Sequence, residues 1–353
     1  MTVTQSGAPP GLSRDRAVAG HAPVTLADVA VAAGVSPATA SRVLNGSPRV
    51  RPGTRRQVEE AMARLGYARI RAARPARPQP TGYIALVVCE EGARLFSDPF
   101  FARILWGISR VLVAAELQLV LLMVRSAGDR LAAVRYLRSG HVDGALFASM
   151  HGRHPVGLEH LGLPVALVGR PFSGGGALAY VDADNRGGAE RAVRYLIASG
   201  RTKIATIAGP RDMVPGIDRL AGYRAAVDQA GLTDPGLVGY GDFSQASGQH
   251  ALFRLLDRRP GIDAVFAASD LMAAGAIRAL RRTGRQVPGD VAVVGFDDSP
   301  LARHTDPPLT TMRQPVDEMG ARAARELLAL IGRNGQAPRR VLLDTQLIRR
   351  ESA

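Results

Sequence analysis

Residues 24–67, VTLADVAVAAGVSPATASRVLNGSPRVRPGTRRQVEEAMARLGY, decide how the chain is organised. Thr25 caps a first helix whose apolar positions Leu26, Val29, Ala30 and Ala33 recur at helical spacing, and Gly34 tolerates the positive φ of a tight stop. Ser36 caps a second helix with Pro37 at its first position, where no amide donor is needed, and Val35, Ala40, Val43 and Leu44 turn inward. Two short helices joined by a turn of this length form a helix-turn-helix, whose second helix enters the major groove of DNA. A third helix, roughly Pro52 to Leu65, carries Val58, Ala61, Met62 and Leu65 on one face and closes a small core.

The run Thr25-Leu26-Ala27-Asp28-Val29-Ala30, then Ala33-Gly34-Val35-Ser36, Thr39, Ser41-Arg42-Val43-Leu44-Asn45 and Leu65-Gly66-Tyr67 resembles the headpiece of the lactose-repressor (LacI/GalR) family of transcriptional regulators. The resemblance implies that Pro37, Ala38 and Arg42 face the bases. Arg42 suits a guanine, whose major-groove edge presents paired acceptors, whereas Pro37 and Ala38 offer apolar contact only. Thr25, Ser36, Thr39, Ser41 and Asn45 resemble the family's phosphate contacts, which set register without reading sequence. Each also has a capping or core-edge explanation, Ser36 above all. Arg49, Arg51, Arg55 and Arg56 supply an electrostatic attraction.

Charge agrees with a nucleic-acid partner. The 353 residues carry a net +14, and residues 1–80 hold twelve arginines against four acidic residues. Lys203 is the sole lysine, so part of the excess reflects a preference for arginine over lysine. Residues 1–23, rich in Gly, Pro, Ser and Ala, read as a disordered tail. Residues 68–80, ARIRAARPARPQP, hold the place of the family's hinge helix but depart from it: Arg69-Ile70 replaces the expected Pro-Asn, and Ala76 after Pro75 replaces the wedging leucine. Alanine is too small to open a base step, which leaves a basic linker in the narrow groove or a flexible tether. No run of about eighteen uncharged apolar residues and no signal peptide appear, so the expectation is a cytoplasmic protein without a membrane partner. One cysteine, Cys89, excludes an intramolecular disulfide and reads as a buried, inert thiol in a strand.

From Thr81 the texture becomes α/β. Strands are predicted near 84–88, 117–124, 144–147, 165–168, 203–208, 264–267 and 291–294, with helices at 99–115, 131–139, 187–199, 219–230, 247–258 and 270–283. This alternation means doubly wound parallel sheets, and its length implies two lobes. The family resemblance continues through Asp98-Pro99-Phe100-Phe101, Val181-Asp182-Ala183-Asp184-Asn185, Arg219-Leu220-Ala221-Gly222-Tyr223, Gly241-Asp242-Phe243, Ala268-Ser269-Asp270 and, most strongly, Val291 to Gln314. It implies an all-α helix-turn-helix headpiece (24–67), then a two-lobed periplasmic-binding-protein-like effector and dimerisation domain (81–353). Lobe 1 is expected at about 81–180 and 315–340, lobe 2 at about 181–312 and 341–353. Arg219 and Asp297, carried over position by position, are the polar pair expected to hold the effector, because a guanidinium and a carboxylate together clamp vicinal hydroxyls. Phe243 offers a stacking face, and Phe100, Ser149, Arg170, Ser269 and Gln314 match further pocket positions. Asp297 as a turn cap, Arg219 paired with Asp218 or Asp242, and Phe243 as core stand as structural alternatives.

No nucleotide-binding glycine motif, nucleophile elbow or paired catalytic carboxylates appear, and Gly174-Gly175-Gly176 precedes a strand rather than following one. His151 and His154 in HGRH read as solvated loop residues, not metal ligands. The expectation is therefore a regulator without catalytic residues, cofactor or metal: a repressor that binds a pseudo-palindromic operator as a homodimer and answers to a small molecule, most plausibly a sugar. A transport solute-binding protein and a sugar- or nucleoside-processing enzyme are the alternatives. The first needs a secretion signal and no headpiece, and the second would show turnover.

Overall fold

The computed structural model describes residues 25–44, 47, 50–65, 80–152, 158–172, 178–332 and 338–353. The expected tail, nearly all of the hinge with Pro75 and Ala76, and Asn45, Arg49, His154 and the Gly174–Gly176 run lie outside these residues. The chain forms two compact units, divided between Gln79 and Pro80.

The first unit is three helices: α1 (Leu26–Ala32), α2 (Pro37–Leu44) and α3 (Pro52–Arg64). α1 starts with a reciprocal capping box: the Asp28 amide donates to Thr25 Oγ1 while the Thr25 amide donates to Asp28 Oδ2 at 2.7 Å. Gly34, at φ 64°, makes the sharp turn before Ser36. Val29, Ala30, Ala40, Val43, Val58 and Ala61 are buried together, with Leu26, Ala33, Val35, Met62 and Leu65 half-buried around them. Leu44 is half-buried at the end of α2.

The second unit holds two six-stranded sheets. The first comprises β1 (Tyr83–Val88), β2 (Gln118–Met123), β3 (Gly144–Ala148), β4 (Val165–Val168), β5 (Ala179–Ala183) and β11 (Arg340–Leu343), ordered β11-β5-β4-β3-β1-β2. The second comprises β6 (Ile204–Ala208), β7 (Val238–Tyr240), β8 (Ala264–Ala267), β9 (Ala292–Asp297), β10 (Thr310–Arg313) and β12 (Gln346–Ile348), ordered β12-β10-β9-β8-β6-β7. All pairings are parallel except β10 with β12, which is antiparallel, so the second sheet departs from the all-parallel expectation at its edge. The apolar runs of β1, β3, β4, β6 and β8 are buried almost throughout, as strands covered on both faces must be.

Helices cover both faces of each sheet. α5 (Pro99–Ala114) and α11 (Val316–Gly332) close one face of the first sheet, and α6 (Ala127–Arg138) the other. α7 (Asn185–Ala198) with α8 (Val214–Gln229), and α9 (Gln245–Arg258) with α10 (Asp270–Arg282), do the same for the second. Because β5 and β11 pair in the first sheet, the chain crosses between lobes near 184, 314–315 and 344–345. This corrects the expected lobe boundaries, 180/181 and 340/341, which fall inside β5 and β11. Cys89 lies just past β1 and is half-buried, not inside a strand, and burial pushes its thiol pKa up.

Candidate effector cleft and nucleic-acid interface

Strand ends build the cleft. Ser149 follows β3, Arg170 follows β4, Phe243 follows β7, Ser269 follows β8, Asp297 ends β9 and Gln314 follows β10. In parallel sheets the carboxyl ends of the strands open toward the crevice between layers, so residues far apart in sequence converge there. All eight expected effector residues, these six with Phe100 of α5 and Arg219 of α8, line one cavity between the lobes. Ser149, Phe243 and Asp297 have φ of 54°, 70° and 124°, a region that side chains with a Cβ rarely adopt, so three of the eight hold strained backbone.

Arg219 is the most constrained of them. Its Nε donates to Asn185 Oδ1 at 2.9 Å, its Nη1 donates to the Ala268 carbonyl at 2.6 Å, and Nη1 stands 3.5 Å from Asp297 Oδ1. The guanidinium lies over the Phe296 ring, 3.7 Å from its centroid. It pairs with neither Asp218 nor Asp242. Gln314 Nε2 donates to the same Asp297 oxygen at 2.6 Å, so Asp297 is a shared acceptor and not a turn cap. Burial raises the Asp297 pKa, opposed by Arg219, and burial likewise lowers that of Arg219. Such a buried pair with little competing water answers strongly to a polar ligand.

Other expected residues hold the scaffold as well as line the space. The Ser269 hydroxyl caps α10 through the Met272 amide and donates to the Phe243 carbonyl at 3.2 Å. Phe243 is both wall and core: it is buried, and a Cβ on Gly209 would lie 2.4 Å from its ring. Arg170 of the first lobe pairs with Asp218 of the second. The Ser149 hydroxyl donates to Glu90 Oε1 at 2.5 Å.

The cavity also contains Arg94, Asp98, Asp182 and Asn185, none of them among the expected effector residues although the last three stand in the family motifs. Asp182 is the most telling of these. Its Oδ1 accepts from the Ala183 amide at 2.9 Å and from Asn185 Nδ2 at 3.1 Å, while its buried Oδ2 has no hydrogen-bond partner, with Arg170 Nε 3.9 Å away. Burial pushes the Asp182 carboxyl up to about 6. A buried acceptor left without a donor is costly unless a ligand supplies one.

In the headpiece Ser36, Pro37, Ala38 and Arg42 are exposed at the start and on the open face of α2. Thr39 and Ser41 are half-buried, and Arg51 and Arg56 are exposed. Ser36 acts as a cap, accepting from the Thr39 amide at 3.2 Å. The Thr25 hydroxyl is committed to Asp28. Arg55 is half-buried, and its Nη2 donates to the Ser47 carbonyl at 2.7 Å, bracing the segment between α2 and α3.

Known proteins match both parts of the chain. Residues 25–69 match the bacterial regulatory proteins of the lacI family, and residues 193–353 a periplasmic binding protein-like domain. The HTH-type transcriptional regulator CelR of Thermobifida fusca is 47% identical over 332 residues, covering 93% of this chain and 98% of that protein. The chain belongs to the lacI family of bacterial regulatory proteins. The ribose operon repressor of Escherichia coli K12 is 34% identical, covering 93% of this chain and 99% of that one. Among solved structures, a complex of transcriptional regulator CelR with cellobiose superposes with a TM-score of 0.76 at 45% identity, covering 94% of this chain and 100% of that one. The lac repressor dimer bound to operator and the anti-inducer ONPF superposes with a TM-score of 0.70 at 28% identity, covering 94% and 99%.

This lacI-family chain is thus a DNA-binding transcriptional regulator with an effector domain, related to transcriptional regulators. Among the described residues no helix is long and apolar enough to cross a membrane, and no three His, Cys, Asp or Glu side chains are placed to hold a metal. His151 lies in a loop and is exposed, as expected, but it is not free: its Nε2 lies 3.2 Å from Glu90 Oε1 and its Nδ1 3.0 Å from Asp212 Oδ2. Sequence spacing could not show this, since Asp212 belongs to the other lobe.

Proposed function

We propose that this protein is a cytoplasmic repressor, active as a homodimer on a pseudo-palindromic operator, whose grip on DNA is set by a disaccharide of the cellobiose class held between its lobes. The single observation that carries the reading is the convergence of Arg219, Asp297, Gln314 and the orphaned Asp182 on one cavity, in a chain so similar throughout its length to a regulator solved with cellobiose. Arg219 and Asp297 bind neighbouring hydroxyls, and Phe243 supplies an apolar wall. Arg42 reads one base of each half-site, Pro37 and Ala38 touch a methyl edge, and Thr25, Ser36, Thr39, Ser41, Asn45, Arg49, Arg51 and Arg55 set the register on phosphates.

The test has two arms. Cellobiose should raise the melting temperature of the purified protein where ribose and maltose do not, since a ligand bound only to the folded state stabilises it. Duplexes selected from a random library should share a twofold-symmetric site, and cellobiose should change affinity for that site. Melting unmoved by any sugar would overturn the effector class, and failure to select any common sequence would overturn the regulator.

A further inference from the structure

At the mouth of the cleft, outside the group that surrounds Arg219, a chain of polar contacts crosses from one lobe to the other. Glu90, just after β1, accepts three donors on a single oxygen: Arg94 Nη1 at 2.7 Å, Ser149 Oγ at 2.5 Å and His151 Nε2 at 3.2 Å. All four residues belong to the first lobe. The opposite ring nitrogen of His151, Nδ1, faces Asp212 Oδ2 at 3.0 Å, and Asp212 belongs to the second lobe, after β6. The Gly152 amide donates to the Asp212 carbonyl at 2.6 Å, so main chain and side chain cross the gap side by side. Other charged groups line the same groove: Asp98 and Glu91 from the first lobe, Asp242 from the second, and Arg125, Asp129 and Arg130 beyond them. Among the described residues, only Glu90 and Asp212 are within hydrogen-bond distance of the imidazole.

Donor and acceptor chemistry then sets the protonation state. An ionised carboxylate only accepts, and a neutral imidazole has one N–H and one lone pair. A neutral His151 would turn a lone pair toward one of its two carboxylates. With a proton on each nitrogen it donates to both. We propose that His151 is a positioning residue for the effector: in its doubly protonated form it latches the second lobe to the first and, through Glu90, fixes the Ser149 hydroxyl at the cleft wall, so that closure over the effector takes up a proton. This rests on the effector cleft proposed above.

The electrostatics have the required sign. The hydrogen bond to Glu90 raises the His151 pKa, against burial, and Asp212 adds to the rise. Burial works against the ionised form of Glu90, but hydrogen bonds from His151 and Ser149 and the charge of Arg94 hold its pKa below the ordinary glutamate value. Glu90 stays beside His151 whether the lobes are open or closed, since both lie in the first lobe. The share tied to closure is that of Asp212, which leaves when the lobes part. The closed form therefore has the higher His151 pKa. The latch is fully made below the open-form value and is lost as pH rises through the closed-form value. For a partly exposed ion pair the linked change in effector affinity amounts to about two- to fivefold.

Isothermal titration of the full-length protein with cellobiose, in buffers of different ionisation enthalpy, reads the proton directly. Wild type should take up about 0.2 to 0.4 of a proton more than His151→Gln at the pH where the imidazole titrates, and its affinity should fall about two- to fivefold as pH rises through that range. The difference between the two proteins isolates His151 from Asp98, Asp182 and Asp297, which also titrate high in the cleft. Asp212→Asn, whose amide still reaches a neutral imidazole, should keep wild-type affinity near pH 8 and lose the pH dependence. A purely structural role would lower affinity equally at every pH, and that result overturns the proposal. So does equal proton uptake by wild type and His151→Gln. A ligand-free measurement separates this from the effector reading: the histidine resonance missing in His151→Gln should titrate lower in Glu90→Gln than in wild type, because Glu90 faces His151 in both lobe arrangements. An unchanged titration refutes the latch even if no sugar binds, whereas a shifted titration with no sugar binding refutes the effector class alone.

Discussion

The orphaned oxygen of Asp182 is a cost that the unliganded protein carries. Burial raises its carboxyl to about 6, so between about pH 4 and pH 6 the folded protein binds more protons than the unfolded chain and this group's share of stability falls as pH rises. Asp182→Asn should therefore be neutral below pH 4 and stabilise by roughly 2 kcal/mol above pH 6 in chemical denaturation, since an uncharged amide is cheaper to bury. Cellobiose affinity should fall in the same variant. A variant that loses stability at pH 7 would show that Asp182 already has its partner in Arg170. Asp297→Ala tests the opposite corner: it removes the acceptor shared by Arg219 and Gln314, so operator affinity should persist while the response to cellobiose disappears. Retained response would take Asp297 out of the site. In the headpiece, Arg42→Ala should relax preference at one operator position. A uniform loss across sequences would make Arg42 a phosphate contact.

Between elements, packing distance decides what a residue can be. α5 and α11 touch through reciprocal glycines: a Cβ on Gly107 would lie 2.0 Å from the Asp317 carbonyl oxygen, and one on Gly320 would lie 2.4 Å from that of Ile104. Gly107→Ala should destabilise the second unit by about 1 to 3 kcal/mol, because backbone on both sides cannot yield cheaply. The same change at Gly53 in α3, where nothing lies within 4 Å, should stabilise the headpiece by about 0.5 to 1 kcal/mol through helix propensity. Equal effects at the two positions in calorimetry would refute the packing account. Such contacts also explain what the sequence could and could not show. The eight cleft residues were legible because strand ends are local features and the family motif marks them. β1, β3, β4, β6 and β8 were legible as apolar runs. β7 has three residues, and β5 and β10 carry Asp182, Thr310 and Thr311 inward, so neither pattern nor hydropathy announced them. α11 has a readable stripe in Val316, Met319, Ala323 and Leu327, although the helices expected from the sequence end at 283. The Arg219–Asn185 and His151–Asp212 contacts join elements remote in sequence and had no local signature.

At the scale of the whole molecule, an effector can alter DNA binding only if it favours one of two lobe arrangements that differ in how they present the headpieces. One headpiece has a single recognition helix and reads one half-site, so in the proposed homodimer the effector's leverage lies in the spacing of two such helices, not in the contacts of either. Two consequences follow for binding to a symmetric operator. Inserting about five base pairs between half-sites turns one of them half a helical turn away and should cost most of the specific affinity, whereas about ten should restore part of it. On a duplex carrying one half-site, cellobiose should leave affinity unchanged while it alters binding to the intact operator. Fluorescence anisotropy on these four duplexes, with and without cellobiose and at a stated salt concentration, distinguishes the outcomes. If cellobiose weakens half-site and full-site binding by the same factor, the signal acts within each headpiece and the spacing account fails.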